Sequence, residues 1–299
     1  MFYKNIMVAG IGVLGSQIAF QIAFKGFQVS VYDINDEALD SGKKRILVLM
    51  DRYQEDLGVT KEEINAAFQR ITFSSNLSKA VSEADLVIEA VSEVVNIKTK
   101  FYSELSKVAP KKTIFLTNSS MLLPSRFAEV TGRPEKFLAM HFANEIWINN
   151  TAEIMKHPGT DMKVFNDVIT FAKAIGMVAL PLYKEQPGYI LNSLLGPFLE
   201  GAMLLWLNEV ADPQTIDKAW MKATGSPLGP FAILDIIGIT TSYNIELAKA
   251  SDTGEQQFKK LANLLKTELI DKGKLGKDTG EGFYKYPNPN YMNSSFLEG

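Results

Sequence analysis

The opening stretch, residues 3–25, constrains the fold more than any other. It reads YKNIMVAGIGVLGSQIAFQIAFK, two apolar runs separated by glycines. Ile6, Met7 and Val8 predict a short buried strand, and Ile18, Ala19, Ile22 and Ala23 recur at helical spacing after it. Between them Gly10, Gly12 and Gly15 keep a G-x-G-x-x-G spacing. A glycine at 10 allows a tight turn, one at 12 lets a pyrophosphate meet the backbone, and one at 15 lets the helix lie close to the strand. The helix N-terminus then offers N–H groups and partial positive charge to phosphates. Three glycines alone would be an ordinary turn. Asp33, closing a second apolar run at 27–32, adds the discriminating feature. A carboxylate there accepts ribose hydroxyls and repels a 2′-phosphate, so NAD is expected over NADP.

The following residues alternate in type. Helical patterns at 35–57 and from Thr60, where Thr60-x-x-Glu63 is a capping box, predict a hairpin inserted between the second and third strands. Strands are expected at 71–73, 85–90, 113–117, 137–142 and 177–182, with helices at 76–84, 94–109 and 161–176. This order predicts an α/β doubly wound, mostly parallel Rossmann-type sheet. Beyond 184–187 only helical periodicities remain, at 188–209, 212–223, 230–250 and 254–272. The chain is accordingly divided into an NAD-binding domain, 1–184, and an all-helical C-terminal domain, 185–299. The helix at 188–209 is apolar almost all round and is expected to be buried. The tail after Tyr286 is expected to be loose.

Bulk composition narrows the function classes. A net charge of −3 gives no basic excess for nucleic acid. The absence of cysteine removes disulfides, thiolate catalysis and cysteine metal sites, and no metal is expected. The start does not resemble a signal peptide, and the apolar run to Leu207 is interrupted by Gly196, Pro197 and Glu200. A cytoplasmic protein with no membrane partner is expected.

In open α/β sheets ligands sit at the carboxyl ends of strands. Glu89 and Glu93, then Asn118, Ser119 and Ser120, then His141 and Asn144 lie at such ends. Glu153 follows His141 by twelve residues, and a His with a carboxylate partner makes an acid–base pair. His157, in the turn-like KHPGT, reads as a surface loop residue. Trp206 and Trp220 read as core, and Lys100 as a solvated side chain.

These residues resemble the L-3-hydroxyacyl-CoA dehydrogenase family over nearly the whole chain. The resemblance rests on GIGVLG with Asp33, VIEAVSE with Lys98, TNSS at 117–120 and RPEKFLAMHFANE at 133–145. It continues in QPGYILN at 186–192, GSPLGPFAILDIIG at 225–238 and TGEGFYKY at 279–286. It implies NAD-dependent oxidation of a 3-hydroxyacyl-CoA, a reaction of fatty acid metabolism. His141 falls on the catalytic base, Glu153 on its carboxylate, Ser120 beside the substrate oxygen and Asn192 on an asparagine reaching the site. Gly10, Gly12, Gly15, Asp33, Glu93, Lys98, Asn118 and Asn144 fall on the cofactor side. A small-molecule substrate and a homodimer through the helical domain are also implied.

The chain departs from the family pattern at Glu145–Asn150, where prolines are usual, at Ser193 and at Leu123-Pro124. These changes leave the reaction type in place and the substrate open. One alternative is a dehydrogenase of a small free hydroxy acid, as in carnitine or gulonate dehydrogenases. Another, of a different class, is a non-catalytic NAD-binding protein.

Overall fold

In the computed structural model, which describes residues 3–298, the opening stretch forms β1 (Asn5–Ala9) and α1 (Val13–Phe24). Their glycine turn is sterically obligatory. Gly10 has φ +91°, and a Cβ there would lie 2.5 Å from the Ala90 carbonyl oxygen. A Cβ on Gly15 would lie 1.9 Å from the Gly10 carbonyl oxygen, so helix and turn touch backbone to backbone.

The remaining strands are β2 (Gln28–Tyr32), β3 (Ile71–Ser74), β4 (Leu86–Glu89), β5 (Ile114–Thr117), β6 (Phe137–Phe142), β7 (Thr151–Met155) and β8 (Val178–Leu182). They form one sheet in the order β3-β2-β1-β4-β5-β6-β7-β8. Every pairing is parallel except β6 with β7, which is antiparallel. The doubly wound sheet is as expected, but β7 is an addition. It is a short, buried strand returning beside β6, and its register places Glu153 opposite His141.

The inserted hairpin is α2 (Asp36–Leu57) and α3 (Lys61–Gln69). Asn35 caps the first by accepting from the Ala38 N–H, and Thr60 and Glu63 close the reciprocal box on the second. Such caps contribute about 1 kcal/mol each. Helices α4 (Leu77–Val81), α5 (Val95–Val108) and α6 (Met162–Ala174) complete the crossovers.

The chain divides into two compact units, Met1–Ile190 and Leu191–Gly299. After α7 (Tyr189–Leu207), the second unit contains α8 (Pro213–Thr224), α9 (Pro230–Ile237), α10 (Ile239–Thr253) and α11 (Gln256–Glu268). The periodicity at 230–250 is two helices, bent by 97° at Gly238, whose φ of +94° an L side chain rarely adopts. Two buried aspartates brace this unit. Asp217 accepts from the Phe231 and Ala232 N–H groups and the Tyr284 hydroxyl. Asp235 accepts from the Phe283 and Tyr284 N–H groups and the Tyr286 hydroxyl. Burial pushes both carboxyls above their ordinary range, against the pull of these bonds.

Four other expectations are corrected. Helix α7 is not buried all round: Leu199, Ala202 and Met203 face the core, while Leu191, Leu194 and Leu205 are exposed. It forms a single 19-residue helix despite Pro197, and by length and composition it could cross a bilayer. The tail is not loose, because it carries two 3₁₀ turns and inserts Phe296 into the helical core. Trp220 is 39% exposed rather than core. His157 is buried: its Nε2 meets the Pro134 carbonyl, and its Nδ1 accepts the Gly159 N–H.

Candidate active site

The carboxyl ends of β1, β2, β4, β5 and β6 meet around the glycine turn. On one side a cavity of 580 Å³ is bordered by Gly10, Gly12, Asp33 and Lys100. Asp33 is fixed by accepting the Ile11 N–H at 2.9 Å and the Ile34 N–H at 2.7 Å. Lys100 is exposed, as expected. On the other side a smaller cavity of 190 Å³ is lined by Gly12, Gly15, Glu93, Lys98, Asn118 and Ser120.

A dinucleotide fits this crevice. Open space lies beside Gly12, where a Cβ would meet nothing within 4 Å. Gly12 borders both cavities and directly precedes the N-terminus of α1. Pyrophosphate at the turn would therefore find helix N–H groups and no side chain in the way.

At the end of the smaller cavity, the segment after β5 carries Ser120, β6 carries His141 and β7 carries Glu153. Ser120 Oγ lies 3.1 Å from His141 Nε2, and Nδ1 of the same ring lies 3.1 Å from Glu153 Oε2. His141 and Glu153 are buried. With Glu153 a carboxylate, Nδ1 carries the proton and Nε2 keeps its lone pair toward Ser120. The second carboxylate oxygen, Oε1, accepts the Ile190 N–H at 2.8 Å in the first turn of α7. A helix N-terminus thus faces the negative charge. Tyr189, at φ +55°, lays its ring on the imidazole at 4.5 Å and 15°, and its hydroxyl donates to the Ser119 carbonyl. Burial pushes the Tyr189 phenol well above its ordinary range, so it is a donor at all working pH.

Asn118 accepts the Phe142 N–H through Oδ1, joining β5 to β6 just past the histidine. Lys98 is more enclosed than its expected role at the cofactor suggests: its ammonium is 2.6 Å from Glu89 and 3.2 Å from Glu93. Burial opposes ionisation of Glu93, but the Ser119 hydroxyl and Lys98 hold its carboxyl below its ordinary range. Asn144 is exposed in the turn between β6 and β7. Asn192 is exposed at the start of the second unit.

Sequence reasoning did not single out Tyr189 or the Ile190 N–H, although both lie in the PGYILN segment. It named Glu89 without a role. The only signal for Glu89 was an acidic residue ending an otherwise apolar strand. Among the described residues, no group of three or more His, Asp or Glu side chains is arranged to hold a metal.

This crevice, with its glycine turn and the Asp33 carboxylate, belongs to an NAD-binding oxidoreductase. Residues 5–186 match the NAD binding domain of 3-hydroxyacyl-CoA dehydrogenase, and residues 188–286 match its C-terminal domain. A probable 3-hydroxybutyryl-CoA dehydrogenase of Bacillus subtilis (strain 168) is 34% identical over 286 residues, covering 96% of this chain and 98% of that protein. Among solved structures, a diketoreductase acting on dicarbonyl compounds superimposes with a TM-score of 0.91. It is 51% identical over 96% of this chain and 100% of its own. The (S)-3-hydroxybutyryl-CoA dehydrogenase of Ralstonia eutropha gives 0.83 at 26% identity, covering 96% and 100%. The chain belongs to the 3-hydroxyacyl-CoA dehydrogenase family.

Proposed function

We propose that this protein reversibly oxidises an L-3-hydroxyacyl-CoA to the 3-ketoacyl-CoA, with His141 and Glu153 as its acid–base pair. The observation carrying this reading is the line Ser120–His141–Glu153, at 3.1 Å and 3.1 Å, ending the cavity that begins at the glycine turn. Bound NAD supplies the hydride acceptor. His141 Nε2 takes the proton of the 3-hydroxyl, a lone pair being available there because Nδ1–H is held by Glu153. Glu153 stabilises the imidazolium that results, and the Ile190 N–H keeps its second oxygen occupied. Ser120 orients the substrate oxygen through its hydroxyl. Asn192 is assigned a second hydrogen bond to that oxygen from its place in PGYILN. In reverse, His141 returns the proton to the 3-keto oxygen. Asn144 is assigned to the nicotinamide side by the same resemblance.

A second reading has support of its own, namely a substrate without CoA. The diketoreductase is 51% identical, well above the 34% of the Bacillus subtilis relative. Turnover of 3-hydroxybutyryl-CoA, of free 3-hydroxy acids and of free dicarbonyl compounds, measured in parallel, tests both readings. A kcat/KM for the CoA ester above that of the free compounds supports the first reading. Turnover confined to free compounds overturns it.

We also propose a cytoplasmic homodimer associating through the helical unit, whose exposed Leu191, Leu194 and Ile236 support such an interface. A mass near that of one 33.2 kDa chain by light scattering refutes it.

A further inference from the structure

Beneath the glycine turn lies a charged cluster that the acid–base chemistry does not use. Glu89, fully buried at the end of β4, has both oxygens occupied. One accepts from the Val91 N–H and Lys98, and the other from the Tyr102 and Thr117 hydroxyls. Lys98, 1% exposed, lies 2.6 Å from Glu89, 3.2 Å from Glu93 and 3.4 Å from the Val91 carbonyl, which occupies its three protons. Glu93 accepts from the Ser119 hydroxyl and from the N–H groups of Met121 and Leu122. Its side chain is 43% exposed, against 1% for that of Lys98.

The count of charges is unusual for a structural ion pair. A single Lys–Glu pair would be neutral, and burying even that is costly. Here two carboxylates share one ammonium, leaving one net negative charge. The exposed member is an anion; it lines the 190 Å³ cavity together with Lys98 and Ser120, so the ring would meet the cluster's net charge. Under the reading above, that cavity is where the nicotinamide belongs. Its ring is a cation when oxidised and neutral when reduced, while the pyrophosphate and adenosine are the same in both forms. A fixed negative charge beside the ring therefore separates the two redox states, whereas contacts elsewhere favour both equally.

We propose that Glu89, Lys98 and Glu93 act together to favour the oxidised cofactor, with Glu89 working through its charge and its hold on Lys98 rather than by touching the ligand. This rests on the crevice being the NAD site with the reacting ring at the His141 end.

Calorimetric titration with NAD⁺ and with NADH tests the proposal without turnover. In Glu93→Gln the ratio of Kd for NAD⁺ to Kd for NADH should rise about tenfold, equivalent to ~1.4 kcal/mol. Glu89→Gln should move the ratio in the same direction although its side chain is out of reach. Because Glu89 is fully buried and its variant is at risk of misfolding, Glu93→Gln decides by itself. An unchanged ratio in Glu93→Gln, whether both forms weaken equally or neither moves, overturns the proposal and leaves the NAD site intact. Failure of the unaltered protein to bind either form overturns both.

Discussion

Replacing Glu153 by Gln is the most direct probe of the proposed mechanism, because the geometry makes the outcome specific. The carboxylate accepts from two directions, His141 Nδ1 at 3.1 Å and the Ile190 N–H at 2.8 Å. An amide has one acceptor oxygen and one NH₂, so it satisfies one of those donors and turns hydrogens toward the other. If the oxygen stays with Ile190, the imidazole loses its Nδ1 acceptor. If it turns to the imidazole, the first turn of α7 loses its acceptor. In either case the negative charge that stabilises a transition-state imidazolium is gone. A hydrogen bond to a charged group contributes roughly 1.5–3 kcal/mol. At ~1.4 kcal/mol per decade, kcat should fall roughly 10- to 150-fold. The larger end applies because Glu153 is buried and water cannot replace the charge. The assay is steady-state formation of reduced nicotinamide, with circular dichroism and NAD affinity as controls. The fall should be in kcat, with Kd for NAD within about twofold, since the interaction is made in the transition state. A kcat within threefold of the unaltered protein, with folding intact, would falsify the acid–base assignment.

Three other perturbations test the scaffold. Gly15→Ala puts a methyl 1.9 Å from the Gly10 carbonyl oxygen, so strand and helix must separate; NAD affinity should fall by tenfold or more, as read by fluorescence titration. Asp33→Ala frees the Ile11 and Ile34 N–H groups and removes the repulsion of a 2′-phosphate; the kcat/KM preference for NAD over NADP should drop by about tenfold or more. Asp85 provides a pH test. Burial opposes its ionisation, but Lys112 and the N–H groups of Lys4 and Asn5 hold its carboxyl below the ordinary 3.8. Its stabilising contribution is therefore complete above that value and lost as pH falls through the depressed one. The Tm difference between the unaltered protein and Asp85→Asn should shrink on acidification below about pH 4; a constant difference would refute the linkage.

What could be read from the sequence was mostly local. The glycine turn, the α3 capping box and Asp33 each depend on a few neighbouring residues, and their spacing identifies them, whereas the Asn35 cap of α2 is seen only in the structure. His141 and Glu153 were named as partners from a twelve-residue spacing, but the sequence did not show the strand that brings them together. TAEIM follows two asparagines and is buried on both faces, so it lacks the alternation that marks a half-exposed strand. His157 reads as a surface residue because Pro158 and Gly159 indicate a turn, and a turn usually lies at the surface. Here the ring folds back onto the turn's own N–H and the Pro134 carbonyl. The α7 error has another origin: an apolar circumference identifies a helix that avoids water, not what covers each side of it. Gly238 was hidden inside an unbroken apolar run because periodicity carries no information about the sign of φ.

The loop from Ala143 to Asn150 lacks the prolines that the family resemblance implies, yet side-chain bonds hold it to two helices. Arg52 of α2 lies 2.9 Å from Glu145 and 4.8 Å from the centre of the Trp147 ring, whose Nε1 donates to Asp56 at 2.8 Å. Gln17 of α1 accepts the Glu145 N–H, fixing that residue at φ +58°. Proline restricts a loop through its own ring; here side-chain bonds to two helices do the same from outside. The difference matters because a clamp of this kind can be removed one bond at a time. Trp147→Phe keeps most of the buried ring but deletes the donor to Asp56 and weakens the face offered to Arg52. The hydrogen bond to a charged group contributes about 1.5 kcal/mol once partial exposure is allowed for. The cation–π contact adds about 0.5 kcal/mol at such a site. The variant should therefore lose between about 1.5 and 2 kcal/mol in urea unfolding, the phenyl ring keeping part of the contact with Arg52. If the loop also lines the substrate path, KM for the hydroxy substrate should rise while Kd for NAD stays fixed. Loss of stability with both constants unchanged would make the clamp purely structural, and no loss of stability would mean that the loop is held by something other than these bonds.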